Sequence, residues 1–257
     1  MEFYISATSD IGTTRSVNQD SLFVRRLKTP LGAAVMAILC DGMGGRMHGE
    51  LASSEVVLAF SDWMYRALPV ICARKFDTQR LAQEWTALLR AEDQRLRRFG
   101  DEQGCSLGTT FVAMLLMQDC FFLANIGDSR AYKLTADGIC QLSRDHTLVA
   151  QEVARGALTL EQASTAPRRN VLTRCLGSGQ NTQPELLFGV IEPETAFVLC
   201  SDGLYHCPTP AQLHEQLYCG QKEENFQTMA QRERELIEYC KQSGETDNIS
   251  VITIYAL

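Results

Sequence analysis

The segment that most constrains this chain is Ala33-Ala34-Val35-Met36-Ala37-Ile38-Leu39-Cys40, an apolar run that ends in Asp41-Gly42-Met43-Gly44-Gly45. It is short, uninterrupted in its hydrophobicity, and bounded by Pro30 and Gly32 before it and by glycines after it, the pattern of a buried strand. A carboxylate at the end of such a strand is costly to desolvate unless a cation pairs with it. The glycines let backbone carbonyls and amides approach a cation or a phosphate closely. Asp41 is therefore a candidate metal ligand, and the rest of the chain is expected to supply the others.

With 257 residues the chain can bury a sizeable core, in one large domain or two small ones. Its formal charge of −7 argues against a non-specific nucleic-acid binder and fits clustered carboxylates. The ten cysteines contain no CxxC pair, and Cys40, Cys120 and Cys200 sit inside apolar, strand-like runs, as expected of small hydrophobes in a reducing compartment. The four histidines, His48, His146, His206 and His214, are dispersed, which disfavours a structural zinc site. The N-terminus lacks the basic start and apolar segment of a signal peptide. No apolar stretch approaches the roughly 18 residues of a membrane span. The expectation is a soluble, cytoplasmic protein, without membrane insertion and monomeric by default.

Alternation predicts a strand from Phe3 and a second at Leu22-Phe23-Val24, with Arg15 and Asp20 near its head as a surface pair if nothing else engages them. Helical periodicity runs from His48 to Leu68 and from Thr78 to Phe99, with Trp63 and Trp85 facing the core. Gly104–Gly108 reads as a loop. Strands follow at Thr109–Met117 and Phe121–Ile126, and Asp137-Gly138 marks a hairpin turn. Residues 143–179 carry a weaker apolar pattern, with helical pieces near Leu148–Arg155 and Glu161, and read as a surface flap whose Arg168, Arg169 and Arg174 could attract an acidic substrate. Leu186–Val190 and Thr195–Cys200 read as strands, Ala211–Tyr218 and Glu224–Gln242 as helices, and Ile249–Tyr255 as a last strand. No linker, repeat or low-complexity segment divides the chain. The pattern is that of one α+β domain over residues 1–257, with antiparallel sheets covered by helices.

Five aspartates share one description: Asp20, Asp41, Asp128, Asp202 and Asp247 each stand at a strand boundary. Singly each fits a turn. Together, with almost no histidine or cysteine alternative, they form a donor set for a hard cation such as magnesium or manganese. Two such cations sharing a carboxylate would activate a water and clamp a phosphoryl oxygen.

Arg15-x-x-Asn18-Gln19-Asp20, Asp41-Gly42-Met43-Gly44-Gly45 with Gly49-Glu50, Gly108-Thr109-Thr110, Gly127-Asp128-Ser129-Arg130, Ser201-Asp202-Gly203 and Asp247-Asn248 together resemble, in order and spacing, the PPM (PP2C-like) metal-dependent protein serine/threonine phosphatases of the bacterial branch. The resemblance covers nearly the whole chain. It implies a four-layer α-β-β-α fold: a central antiparallel β-sandwich flanked by helices, with a small flap subdomain at 143–179 and metals in a cleft at one end. It also implies a phosphoric monoester hydrolase that acts on phosphoserine and phosphothreonine in phosphorylated proteins, using a water between two Mn2+ or Mg2+ ions, often opposite a eukaryotic-like Ser/Thr kinase. Carried over by position, Asp41 would bridge two metals, the Gly42 carbonyl would join one, Asp202 and Asp247 would complete the other, and Asp20 would hold metal-bound water. Asp128 with Asp202 matches a third, weaker metal position, and Arg15 matches the arginine that binds the substrate phosphate.

Two positions depart from the family pattern. Gln19 stands where many members have Glu, and Met43 stands where some eukaryotic members carry a histidine proposed as general acid; the leaving-group proton donor is left unassigned. His48 and His146 are expected to be satisfied or surface histidines. The alternative reading is a catalytically inactive, PPM-like regulatory binding module, against which the intact carboxylates argue, since clustered carboxylates are destabilising without metal. A P-loop reading fails because no Gly-Lys-Ser/Thr follows the glycines. A cysteine nucleophile is disfavoured because no cysteine lies in a phosphate-cradling loop with a following arginine.

Overall fold

In the computed structural model, which describes residues 1–44, 48–73, 77–179, 181–218, 220 and 226–257, the apolar run forms the middle of β3 (Gly32–Gly44). This strand lies between β2 (Asp20–Thr29) and β5 (Phe111–Met117), antiparallel to both. Its side chains alternate between two cores. Ala34, Met36, Ile38 and Cys40 face helices, whereas Val35, Ala37 and Leu39 face a second sheet. Burial on both faces is why the run shows no polar alternation.

Beyond β3 and β5 the first sheet continues through β6 (Cys120–Ile126) to β9 (Glu185–Val190), giving the order β2-β3-β5-β6-β9, with β4 (Leu107–Thr109) paired to β3. The second sheet has the order β1-β11-β10-β7-β8, formed by β1 (Phe3–Asp10), β7 (Arg130–Thr135), β8 (Gly138–Gln141), β10 (Thr195–Cys200) and β11 (Ile249–Ala256). Between the sheets lies a core that joins Val35, Leu39, Val112, Met114 and Leu123 to Phe197, Leu199, Ile252 and Ile254. On the outer face of the first sheet pack α1 (Gly49–Arg66), α2 (Leu68–Cys72) and α3 (Thr78–Gln103), with Phe60, Trp85 and Leu89 fully buried. On the outer face of the second pack α6 (Asp202–Tyr205), α7 (Pro210–Leu217) and α8 (Phe226–Gln242), through Leu204, Leu213, Leu236 and Ile237. The layers are therefore helix, sheet, sheet, helix, as expected from the resemblance. The hairpins at 118–119 and 136–137, the strand Thr195–Cys200 and the helix pair α4 (Leu148–Ala154) and α5 (Leu160–Thr165) of the flap fall where the sequence pattern puts them.

Two local expectations need correction. β3 does not stop at Asp41 but runs to Gly44, because Gly42, Met43 and Gly44 pair with Thr109, Gly108 and Leu107. For the same reason Gly104–Gly108 is not wholly loop, since Leu107 and Gly108 belong to β4. The short helices α2 and α6 carry no periodic signal of their own at five and four residues. Gly45, and the start of the expected helix at Glu224, lie outside the described residues.

Candidate active site

Strand parity carries the acidic residues to one place. Val35, Ala37 and Leu39 point between the sheets, so Asp41, two residues on, points to the end of that same seam. On β2, Leu22 and Val24 line the seam, which places Asp20 on the same side, directly opposite Asp41 in the ladder. The registers bring the other strand ends there too: Phe111 pairs with Ile126, Cys200 with Arg130, and Cys200 with Val251. Asp128 in the β6–β7 bend, Asp202 just after β10 and Asp247 just before β11 therefore meet Asp41 from separate directions. A cavity of about 310 Å³ opens at this point, lined by Arg15, Asp41, Gly42, Asp128, Asp202 and Asp247 together with Gln19, Met43 and, from the flap, Asn170 and Leu172. Of the candidate site residues, Asp20 alone does not line the cavity. It stands opposite Asp41 in the ladder, its Oδ2 accepting from the Ser201 hydroxyl at 2.8 Å.

The position of Asp41 is fixed through its backbone. Its N–H donates to Thr110 Oγ1 at 2.8 Å, and its carbonyl accepts from the Thr110 N–H and the Thr109 hydroxyl, each at 2.9 Å. Thr110 Oγ1 in turn lies 2.7 Å from Ser129 Oγ. Gly42 is required by close approach: its N–H donates to the Gln19 carbonyl at 3.0 Å, and a side chain here would strike the Gly49 carbonyl at the head of α1. Asn248 ties the β1–β2 loop to this end of the sandwich, accepting from the Gln19 N–H at 2.9 Å and donating to the Ile11 carbonyl at 2.9 Å.

Electrostatically the cleft is under strain. Burial pushes the Asp20 carboxyl up to about 7, aided by repulsion from Asp202 and Asp247. Burial also pushes Asp41 and Asp128 well above the ordinary carboxylate range, and raises Asp202 despite the nearby His206. Among the described residues no three acidic, imidazole or thiol groups are close enough as they stand to share one ion. Asp247 is instead engaged by Arg15, whose Nη2 donates to its Oδ2 at 2.7 Å. The donor chemistry nevertheless fits divalent cations. The groups are carboxylates and a carbonyl, and the Oδ1 atoms of Asp20 and Asp202 are buried without a hydrogen-bond partner. Added positive charge would relieve the mutual repulsion.

Arg15 does not pair with Asp20 as a surface couple. Arg168 and Arg169 in the flap are engaged by Glu152 Oε1 at 2.7 Å and the Ser164 carbonyl at 3.1 Å. His146 is a satisfied buried residue, its Nδ1 accepting from the Gly127 N–H at 3.0 Å. Sequence reasoning gave no role in the site to Ser129, Ser201, His206 or Glu245. Burial pulls against the hydrogen bonds that hold Glu245 down to about 2: those from His206 and from the backbone of Asp247 and Thr246 prevail. Ser201 reaches Asp20, Ser129 reaches the Thr110 that anchors Asp41, and Glu245 and His206 lie against Asp247 and Asp202; only the adjacency of Ser201 and Ser129 to Asp202 and Asp128 could have pointed to any of them.

Comparison with known proteins gives a consistent result. The family described as Protein phosphatase 2C matches residues 12–247. The serine/threonine phosphatase stp of Listeria innocua is 31% identical over 252 residues, covering 96% of this chain and 93% of that protein. The solved S. agalactiae serine/threonine phosphatase superposes with a TM-score of 0.83 at 29% identity, covering 100% of both chains. The catalytic domain of the phosphatase PstP, solved in complex with two manganese ions, superposes with a TM-score of 0.80 at 27% identity over 98% of this chain and 97% of that one.

Proposed function

The chain belongs to the protein phosphatase 2C family, and on that premise we propose that it removes phosphate from phosphoserine and phosphothreonine in protein substrates at the five-aspartate cleft. The observation that carries this reading is the convergence of Asp41, Asp128, Asp202, Asp247 and Arg15 on one cavity, with Asp20 paired to Asp41 in the ladder. The same observation speaks against an inactive binding module, which has no use for so many mutually repelling carboxylates.

Family membership and the manganese-bound relative support a divalent-metal requirement. In the proposed arrangement Asp41 would hold two Mn2+ or Mg2+ ions, the Gly42 carbonyl one of them, and Asp202 and Asp247 the other. Asp20 would act through water, and Asp128 with Asp202 would take a weaker third ion. Such ions supply countercharge to phosphoryl oxygens and lower the pKa of a nucleophilic water toward about 7. The protein's part is to fix these carboxylates and to hold the substrate. Arg15, with its side chain 48% exposed, offers a planar fork that matches two phosphate oxygens. Met43 lines the cavity but has no proton to give a leaving group, and Gln19 lines it as a neutral amide.

Residues 1–257 are proposed as a single phosphatase domain with 143–179 as its flap. Asn170 and Leu172 reach the cavity from the flap, and this surface, including Arg168 and Arg169, is proposed to select the protein substrate. A eukaryotic-like Ser/Thr kinase is the proposed counterpart, and a cytoplasmic monomer the proposed state. Among the described residues no helix is long and apolar enough to cross a membrane.

The test is manganese-dependent hydrolysis of a phosphothreonine peptide by the unsubstituted chain and by Asp202→Asn. The expected result is activity that requires the metal and is lost in the variant. Equal, metal-independent activity in both would overturn the reading.

A further inference from the structure

Resting on the phosphatase reading above, we infer that Glu245 and His206 form a positioning pair that sets both Asp202 and Asp247 for cation binding. Neither residue belongs to the Asp-Gly motifs, and the chemistry described so far uses neither.

Glu245 is held from every side. Its N–H donates to the Cys240 carbonyl at 3.0 Å, and its carbonyl accepts from the Thr13 hydroxyl at 2.9 Å. Its carboxylate, only 8% exposed, divides its two oxygens between the two aspartates. Oε1 accepts the N–H groups of Thr246 at 2.7 Å and Asp247 at 3.0 Å, which fixes the backbone from which Asp247 projects. Oε2 accepts from Nδ1 of His206 at 3.1 Å. A carboxylate offers no hydrogen, so the one in this bond sits on Nδ1 and the ring plane is set by Glu245.

That orientation turns Nε2 of His206 toward Asp202, where it stands 3.8 Å from Oδ2. His206 follows α6 directly, and its own N–H donates to the Asp202 carbonyl at 3.2 Å, so ring and aspartate belong to one helical turn. With the imidazole on the Oδ2 side, the buried and unpartnered Oδ1 of Asp202 is the oxygen left for a ligand. A carboxylate–histidine pair behind a ligating group is a recurrent way of fixing that group's orientation. Here one carboxylate does so for two aspartates that arrive from different strand ends.

A pair that merely braced α6 against the turn before β11 would need no contact between Nε2 and Asp202, and its loss would lower the melting temperature without altering metal affinity. The experiment therefore reads manganese binding directly, by electron paramagnetic resonance titration of the free ion, on His206→Ala, Glu245→Gln and the double variant. His214→Ala is the control, since Nε2 of His214 pairs with the Thr135 carbonyl at 2.8 Å, between α7 and β7. Each single substitution is expected to weaken manganese binding about tenfold or more. The double variant should be no weaker than the worse single, because the two residues act as one unit, and the control should bind as the unsubstituted chain does. Unchanged manganese affinity in both single variants, or fully additive losses, would overturn the pairing. If His206→Ala fails to fold, His206→Phe, which keeps a ring in that place but offers Glu245 no N–H, takes its place under the same criterion. Failure of the unsubstituted chain to bind manganese would instead overturn the phosphatase reading, and the pairing with it.

Discussion

Nη2 of Arg15 donates to Oδ2 of Asp247 at 2.7 Å, so the residue proposed for the substrate phosphate and one proposed for metal hold each other in the same cleft. The pair is half exposed on the arginine side and adds little to stability. The expected consequence is competition, because a cation held by Asp247 would release the guanidinium and make it available to a phosphate. Arg15→Ala is expected to lower kcat/KM for a phosphothreonine peptide by roughly 10- to 100-fold, the worth of one charge-assisted hydrogen bond or somewhat more. Manganese affinity should stay equal or become tighter. Arg15→Lys, a point charge without the fork, should recover only part of the loss. Steady-state kinetics with manganese titration measure both quantities, and weaker manganese binding by Arg15→Ala would contradict the competition.

The direct ladder pairing of Asp20 with Asp41 places two like charges opposite each other at the end of the seam. Function and stability should therefore move in opposite directions when one is neutralised. Asp41→Asn is expected to lose metal-dependent activity by more than the roughly 10- to 100-fold typical of residues that only orient a ligand. In the absence of metal the same variant should melt higher than the unsubstituted chain, by about 3–10 °C for the relief of a few kcal/mol in a domain of this size. Calorimetry in a chelator checks the second half, and a lower melting temperature there would count against a repulsive cluster.

Much of this was readable in advance because it rests on short-range pattern. The apolar run of β3, the Asp137-Gly138 turn and the alternation of β11 are local signals, and the acidic strand ends follow from them. The joint motif pattern then supplied the layer order, which periodicity alone left at helices covering antiparallel sheets. What stayed hidden depends on tertiary contact. The extension of β3 through Gly44 exists because β4 pairs with it. The partner of Arg15 lies 232 residues away, and a sequence shows no reason to prefer it over Asp20. His206 and Glu245 look like any helix-end histidine and turn glutamate until the fold brings them together.

The raised carboxyls give the metal-free protein a specific pH dependence. A group whose folded pKa lies above its unfolded value holds its proton more tightly when folded. Its penalty is absent below the unfolded pKa and is complete once the pH has risen through the folded one. For Asp20 the window runs from 3.8 to about 7, and Asp41, Asp128 and Asp202 shift in the same direction. Glu245, held down at about 2, acts oppositely but loses its contribution only as pH falls below its ordinary 4.5. The melting temperature in a chelator is therefore expected to fall as pH rises from about 5 to about 8, and excess magnesium should flatten that fall. A chelated melting temperature that climbs across this range would show that the cluster does not carry the charge strain assigned to it.

The anchor of Asp41 offers a test that leaves every proposed ligand in place. Thr110 Oγ1 accepts the Asp41 N–H at 2.8 Å and meets Ser129 Oγ at 2.7 Å, and all of Thr110 is buried. Thr110→Val keeps the shape but leaves the Asp41 N–H and the Ser129 hydroxyl without this partner. It should cost about 1–3 kcal/mol of stability, the usual penalty for an unsatisfied buried donor. Because the Asp41 backbone then loses one of its fixed points, kcat should fall about tenfold, in line with other residues that orient a ligand. Thr110→Ser, which restores the hydroxyl and removes only a methyl group, should recover most of kcat while remaining less stable than the unsubstituted chain through the lost packing. Full activity in Thr110→Val would mean that the Thr110 hydroxyl is not what holds Asp41 in register with the other carboxylates.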